Sequence, residues 1–102
     1  MNITQLDKRF FYPEVVQVLP ADDFKIYAYL NDGSVRLYDA GPLLKKGTVF
    51  EPLMNVKVFK EKLTVINDTI AWDMTGDRDP CKCIDIDPLT IFENQPIPDP
   101  LT

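Results

Sequence analysis

The fold is decided by residues 24–39, which read FKIYAYLNDGSVRLYD. Apolar side chains take alternate places on either side of the central NDGS, first at Phe24, Ile26, Ala28 and Leu30 and then at Val35 and Leu37. Such alternation predicts two pleated strands, each with one apolar face. Between them, Asp32 and Gly33 tolerate the positive φ angles that a tight two-residue turn needs. The stretch therefore predicts a β-hairpin whose second arm turns Arg36 and Tyr38 away from its apolar residues.

Further strands and helical turns are predicted on both sides of this hairpin. Residues 14–20, EVVQVLP, are rich in β-branched side chains and end in proline, which is typical of a strand. After the hairpin, Pro42 begins a helical turn that Gly47 ends. Asn55 is placed to cap a helix over residues 56–62. We expect the buried stripe of this helix to consist of Val56, Phe59 and Leu63.

The carboxyl-terminal part repeats the pattern of strand, turn and strand. Residues 63–72 predict a second hairpin with an Asn-Asp turn. Alternation resumes over residues 81–86, and Asp87 followed by Pro88 is typical of the start of a short helix. The last residues have a proline at every second place from 96 to 100, and proline has no backbone N–H to donate to a sheet.

Strands outnumber helices, and the chain of 102 residues has the length of one domain. We predict an α+β fold: a small antiparallel sheet built from two hairpins, with one short helix packed on it and helical turns near the carboxyl terminus. Residues 1–12 are expected to form an arm with an aromatic patch at 10–12. Residues 13–94 form the single α+β domain, and residues 95–102 form a proline-rich extended or disordered tail.

Charge and composition exclude several classes of function. The 16 acidic and 11 basic residues give a net charge of −5, which disfavours direct contact with nucleic acid. The sequence has no histidine, so Ser-His and Cys-His catalysis and histidine-ligated zinc are excluded. No apolar run is long enough to span a membrane, and the first residues lack the apolar core of a signal peptide. We expect a cytoplasmic protein that is not an enzyme and needs no cofactor.

Four stretches resemble the family known as domain of unknown function 2442, and the resemblance covers residues 13–94. They are residues 22–39 with their NDG turn, residues 47–53 (GTVFEPL), residues 70–72 (IAW) and residues 84–93 (IDIDPLTIFE). The resemblance implies a small bacterial α+β domain for which no catalytic residues are established. It also implies association with small partner proteins in arrangements similar to toxin–antitoxin pairs.

Acidic residues and two cysteines suggest an alternative function. Six carboxylates lie within about twenty residues, at Asp73, Asp77, Asp79, Asp85, Asp87 and Glu93. Paired carboxylates can bind a divalent cation or support a metal-dependent hydrolase, although their spacing does not match an EF-hand loop. Cys81 and Cys83 offer two thiolates where zinc needs four ligands, so a metal site would need a second chain. We expect no metal site, with solvated and capping aspartates as the simpler interpretation.

Aromatic side chains point to a different function. Tyr27 and Tyr29 lie opposite the apolar face of the first hairpin, where a half-exposed sheet normally carries charges. Together with Tyr38, Trp72 and the outward-facing Asp85, they are candidates for binding a partner, with a second layer of core as the alternative. We predict a non-enzymatic protein-interaction module, regulatory or antitoxin-like, that forms a homodimer or binds a small basic protein. No small-molecule substrate is expected, because a core of this size leaves little volume for a pocket.

Overall fold

The computed structural model describes residues 13–101, so the arm predicted at residues 1–12 lies outside the described residues. The strands are β1 (Val15–Pro20), β2 (Lys25–Leu30), β3 (Val35–Asp39), β4 (Leu63–Ile66), β5 (Thr69–Trp72), β6 (Ile84–Asp85) and β7 (Pro96–Ile97). The helices are α1 (Val56–Lys62) and α2 (Pro88–Phe92), and two 3₁₀ turns cover Gly41–Leu43 and Glu51–Met54. The α+β class is thus confirmed.

The first sheet is antiparallel, with the strand order β1-β2-β3-β7. It contains the predicted hairpin, in which Tyr29 pairs with Val35 across the turn. Gly33 adopts a φ of 86°, and the Asp32 carboxylate accepts the Ser34 N–H at 2.9 Å. The hairpin is confirmed, but its turn is not the expected two-residue one. Asp32 does not have a positive φ, and the hydrogen bond from the Leu30 N–H to the Ser34 carbonyl closes a three-residue loop in which Gly33 takes the left-handed position.

The second hairpin is also confirmed, but it lies in a separate sheet of order β4-β5-β6. Its turn residues Asn67 and Asp68 have φ angles of 55° and 61°, the left-handed pair that a tight hairpin turn requires. The expectation of one sheet built from both hairpins was too simple. A hydrogen bond of 2.8 Å from the Val15 N–H to the Asp68 carbonyl joins the start of β1 to the turn of the second sheet.

The two sheets enclose a core that is centred on aromatic rings. Phe59 of α1 meets Phe24 edge-to-face at 5.2 Å and Trp72 of β5 at 5.4 Å between ring centroids. Phe24 has a φ of 59°, a conformation that costs energy in a bulky residue. Its contact with Phe59 provides a packing reason for this backbone conformation.

The structure confirms the cap of α1 and corrects its buried stripe. The Asn55 side chain accepts the N–H of Lys57 at 3.0 Å, as the sequence predicted. Val56, however, is 51% exposed, and Val58 packs beside the buried Phe59 instead. Val56 is the first residue of this seven-residue helix, and Phe59 is its buried residue.

The segment from Cys81 to the carboxyl terminus contains less strand than its alternation suggests and one strand that the sequence did not indicate. Only Ile84 and Asp85 of the predicted stretch 81–86 pair, on β5. The Asp87 carboxylate caps α2 by accepting the Leu89 N–H at 2.9 Å. Further on, residues of the proline-rich tail form β7, which pairs with β3.

Among residues 13–101, no helix combines the length and apolar character needed to cross a membrane.

Candidate functional site

The outer face of the first sheet combines the two tyrosines of β2 with aliphatic residues of the neighbouring strands. Residues that pair directly across an antiparallel sheet point to the same side. The register therefore defines one surface, here called the tyrosine face: Gln17, Leu19, Tyr27, Tyr29, Val35, Leu37 and Ile97. Gln17 is exposed, Val35 is buried, and the other five side chains are half-buried. The structure thus brings Tyr27 and Tyr29 together, as the sequence predicted.

Both helices lie on the other side of this sheet. The ring of Phe59 in α1 packs on Phe24, which precedes β2 and is followed at alternate places by the buried Ile26 and Ala28. On the same side, Arg36 of β3 covers the ring of Phe92 in α2, with 4.6 Å from guanidinium carbon to ring centroid. The tyrosine face is therefore not the surface on which α1 and α2 pack.

Tyr29 is tied to the carboxyl-terminal segment. Its hydroxyl donates a hydrogen bond of 2.7 Å to the Asp99 carboxylate. Burial raises the pKa of Tyr29 to about 12, and the hydrogen bond and negative charge of Asp99 act in the same direction. At neutral pH the phenol is a stable hydrogen-bond donor at one end of the tyrosine face.

Carboxylates flank the tyrosine face at both ends of the hairpin. At the start of β2 lie the exposed Asp22 and Asp23, with Asp39 opposite Lys25. Asp32 lies at the turn. Burial disfavours its charged form, but hydrogen bonds from Ser34 and the positive charge of Arg36 favour that form more strongly. The pKa of Asp32 is therefore lowered. An apolar, ring-bearing surface bounded by carboxylates is electrostatically complementary to a basic protein.

The other three predicted partner-binding residues lie elsewhere. Tyr38 faces the core side of the sheet, where burial raises its pKa more strongly than a hydrogen bond with Thr90 lowers it. Trp72 is fully buried, and its indole Nε1 donates to the Phe59 carbonyl at 3.1 Å. Tyr38 and Trp72 therefore pack in the core, as the alternative interpretation of the sequence had it. Asp85 is exposed, but it belongs to the second sheet, opposite Ala71.

The aspartates of the loop after β5 serve the backbone. Asp73 accepts the N–H groups of Gly76 and Arg78, each at 3.0 Å. Asp79 accepts the Cys81 N–H at 2.8 Å. Among residues 13–101, no group of three histidine, cysteine or acidic side chains is arranged to hold a metal ion. This geometry does not favour the alternative of a metal-dependent hydrolase.

The two cysteines are free thiols. Burial raises the pKa of the Cys83 thiol, and the negative charge of Asp85 adds to the effect. Because the thiolate is the form that binds metals and attacks disulfides, Cys83 has less of the reactive form than an ordinary cysteine at neutral pH.

The sequence interpretation missed the role of Arg36. This side chain is on the core side and only 8% of the residue is exposed, because it lies opposite the small Ala28. Its Nη1 donates to the carbonyl of Phe92, the last residue of α2, at 2.9 Å and to that of Asn94, two residues further on, at 2.5 Å. The hairpin register places the small Ala28 opposite Arg36. This pairing was the feature of the sequence from which the burial of Arg36 could have been inferred.

Comparisons with known proteins identify a family. A scan against family models matches residues 15–96 to the family described as Protein of unknown function (DUF2442). The match confirms the resemblance found in the sequence motifs. Comparisons with curated proteins and with solved structures find no match.

Proposed function

The chain belongs to the DUF2442 family, and from that premise we propose that it is a non-enzymatic protein-interaction module that binds a basic partner protein through its tyrosine face. The observation that carries this proposal is the position of Tyr27 and Tyr29 beside Leu19 and Leu37, on the side of the sheet away from both helices. Tyrosine is enriched among the residues that dominate binding energy in protein interfaces.

Charge supports a basic partner in particular. One end of the face carries Asp22, Asp23 and Asp39, with Lys25 opposite Asp39, and the other end carries Asp32, which lies 3.9 Å from Arg36. The whole chain has a net charge of −5. Such a field attracts a basic protein during the encounter and repels nucleic acid. A regulatory or antitoxin-like role, which the family resemblance suggests, would act through this contact.

The test begins with the full chain, tagged and expressed in the organism that encodes it. Proteins that copurify are identified by mass spectrometry, and a basic one is purified and titrated into the chain by calorimetry. Retrieval alone does not support the proposal. Support requires that Tyr27→Ala weakens the measured affinity at least tenfold, about 1.4 kcal/mol, while Val49→Ala leaves it unchanged. Val49 is the matched control because it is 70% exposed and lies outside the tyrosine face.

Two further measurements decide between partners. Affinity for a basic protein should fall as salt is added, since screening weakens attraction between exposed charges. Light scattering after size exclusion reports self-association. A dimer that Tyr27→Ala dissociates would assign the face to a second copy and overturn the basic partner. A strict monomer that retrieves no basic protein would overturn the proposal as a whole.

A further inference from the structure

We propose that the tyrosine face receives a basic, amphipathic α-helix of the partner, which lies on the sheet as a third layer. The inference rests on the proposed function, because it assigns the form in which a partner presents itself to this face. It follows from the closed edges of the sheet, the size of the apolar surface and the distribution of charge around it.

The hydrogen bonds of the first hairpin fix the directions of the backbone groups of β3. The Leu30 N–H donates to the Ser34 carbonyl at 2.9 Å, just before β3, and the Ala40 N–H donates to the Phe24 carbonyl at 3.0 Å, just after it. Consecutive residues of a strand direct their backbone groups to opposite edges. The even-numbered residues of β3 therefore bond to β2, and its odd-numbered residues direct their N–H and C=O groups to β7.

This direction closes the edge at β7 to a further strand. Val35 directs its backbone groups to β7 and lies opposite Ile97, so Ile97 in turn directs its own groups to β3. The neighbours of Ile97, whose backbone groups point outward, are Pro96 and Pro98. Since proline has no N–H, a strand that arrived at β7 would meet no backbone donor there.

The opposite edge of the sheet, at β1, is closed by other means. The Val15 N–H is already bonded to the Asp68 carbonyl at 2.8 Å. The register then shifts between Val15 and Gln17, and such a bulge interrupts a ladder. Pro20 ends the strand without an N–H. Prolines and bulges protect sheet edges from strand addition, so a partner is left with the face.

A partner segment on the tyrosine face must satisfy its own backbone. N–H and C=O groups that lose contact with water need hydrogen-bond partners. The backbone groups of β2 are used in its ladders with β1 and β3, and the Tyr29 hydroxyl is bonded to Asp99. An irregular segment would lie on this face with unpaired backbone groups, whereas an α-helix pairs its groups internally.

The size of the apolar surface fits one helix. Leu19 of β1, Tyr27 of β2 and Leu37 of β3 form a row across three strands, about 10 Å wide. An α-helix with its side chains is about 10–12 Å in diameter. The six residues of β2 extend for about 20 Å, which a helix of about 13 residues spans. Because α1 and α2 lie on the other side of the sheet, such a helix would complete a three-layer arrangement.

Charge gives the helix a basic end. Asp22, Asp23 and Asp39 are exposed at the start of β2, and the basic residue paired there is Lys25, opposite Asp39. At the turn, by contrast, Asp32 already lies 3.9 Å from a guanidinium nitrogen. We therefore expect lysine or arginine at the end of the helix that lies over the start of β2, and apolar residues at spacings of three and four over the two tyrosines.

The test uses the full chain and two synthetic peptides of 14 residues, each composed of seven leucines and seven lysines. In one peptide the leucines recur at spacings of three and four, which favours an amphipathic helix, and in the other they alternate with lysine, which favours a strand. Because length, composition and charge are the same, a difference in affinity reports the structure of the peptide. Calorimetry measures the affinity, and circular dichroism of the complex measures its helix content.

The helical peptide should bind at least tenfold more tightly than the alternating one. Tyr27→Ala should weaken its binding at least tenfold, whereas Val49→Ala, outside the face, should leave it unchanged. Asp22→Asn with Asp23→Asn should reduce both the affinity and its dependence on salt, since these carboxylates attract the lysines. Equal affinity of the two peptides would overturn the inference, as would no binding of the helical peptide or binding that Tyr27→Ala leaves unchanged.

A second measurement tests the closed edge. Pro96→Val with Pro98→Val returns two N–H groups to the outer side of β7, so the alternating peptide should bind this variant at least threefold more tightly than it binds the unmodified chain. No gain would overturn the closed edge on which the inference rests. Circular dichroism checks that the variant folds.

The failure of this inference is distinguishable from that of the proposed function. A basic partner protein whose affinity depends on Tyr27, but which contacts the face through a loop or a sheet, would overturn the helix and leave the proposed function intact. Tyrosine-dependent binding of the helical peptide, with no basic protein retrieved from the native organism, would count against the proposed function alone.

Discussion

The two hairpins share an antiparallel pair of short strands, but they differ in their turns and in their surroundings. In β2 every second residue is buried, whereas all four residues of β5 are buried. β5 is the middle strand of the second sheet, and Trp72 at its end fills the core, while β2 has the core on one side and the tyrosine face on the other. The comparison shows that aromatic residues in similar strand patterns can serve packing in one place and remain accessible in another.

The largest expected effect separates these two kinds of aromatic residue. Trp72→Ala should lower the free energy of unfolding by about 3–5 kcal/mol, because it leaves a cavity beside Phe59 and removes an indole hydrogen bond. Tyr27→Ala, its matched control in β2, should cost no more than about 1 kcal/mol. Urea denaturation followed by far-ultraviolet circular dichroism measures both. Equal losses would contradict the assignment of Tyr27 to a binding surface.

A second effect concerns the link between the first hairpin and the segment after α2. Arg36→Met should lower the free energy of unfolding by about 2–3 kcal/mol, because two carbonyl groups lose a charged donor. Arg36→Lys should restore little of this, since an ammonium group cannot reproduce the guanidinium fork.

The control for Arg36 is Lys57→Met. Lys57 forms an exposed ion pair with Glu61 at 4.0 Å. Its loss should change the free energy of unfolding by less than about 0.5 kcal/mol. If both substitutions had the same small effect in urea denaturation, the hydrogen bonds from Arg36 to the Phe92 and Asn94 carbonyls would not stabilise the fold.

The turns of the two hairpins should respond in opposite directions. Gly33→Ala should destabilise the first hairpin by about 1 kcal/mol, since a side chain disfavours its φ of 86° although no atom lies within 4 Å of the added carbon. Asp68→Gly should stabilise the second by about 0.5 kcal/mol, because glycine relieves a φ of 61°. Thermal denaturation compares the two variants, and a loss of stability with Asp68→Gly would contradict this account of the turn.

The smallest effect is a pH dependence on the tyrosine face. The pKa of Tyr29 is raised from 10.0 to about 12, so the neutral phenol stabilises the folded state below pH 10. This contribution is lost as the pH rises from 10 through about 12. Ultraviolet titration of phenolate should show a component near pH 12 that Tyr29→Phe removes, whereas Tyr27→Phe should leave it in place. A titration unchanged by Tyr29→Phe would refute the contact with Asp99.

Local signals in the sequence predicted the elements well and their contacts less well. The two hairpins, the Asn55 cap and the Asp87 cap depend on neighbouring residues, and the structure contains all of them. The exposure of Val56 was not predicted, because the burial of a helix position depends on which elements pack over it. The burial of Trp72 was also not evident from local signals, because it follows from the place of β5 in the middle of the second sheet.

The amino-acid sequence by itself determined the α+β class, the places of the two hairpins and the position of Tyr27 and Tyr29 on the same side of one strand. These features follow from side-chain alternation and backbone preferences over a few residues. The tertiary structure alone decided that the hairpins form two sheets, that Arg36 is buried under α2 and that the proline-rich segment pairs with β3. Contacts between residues more than fifty positions apart depend on how whole elements pack, and no local pattern encodes that choice.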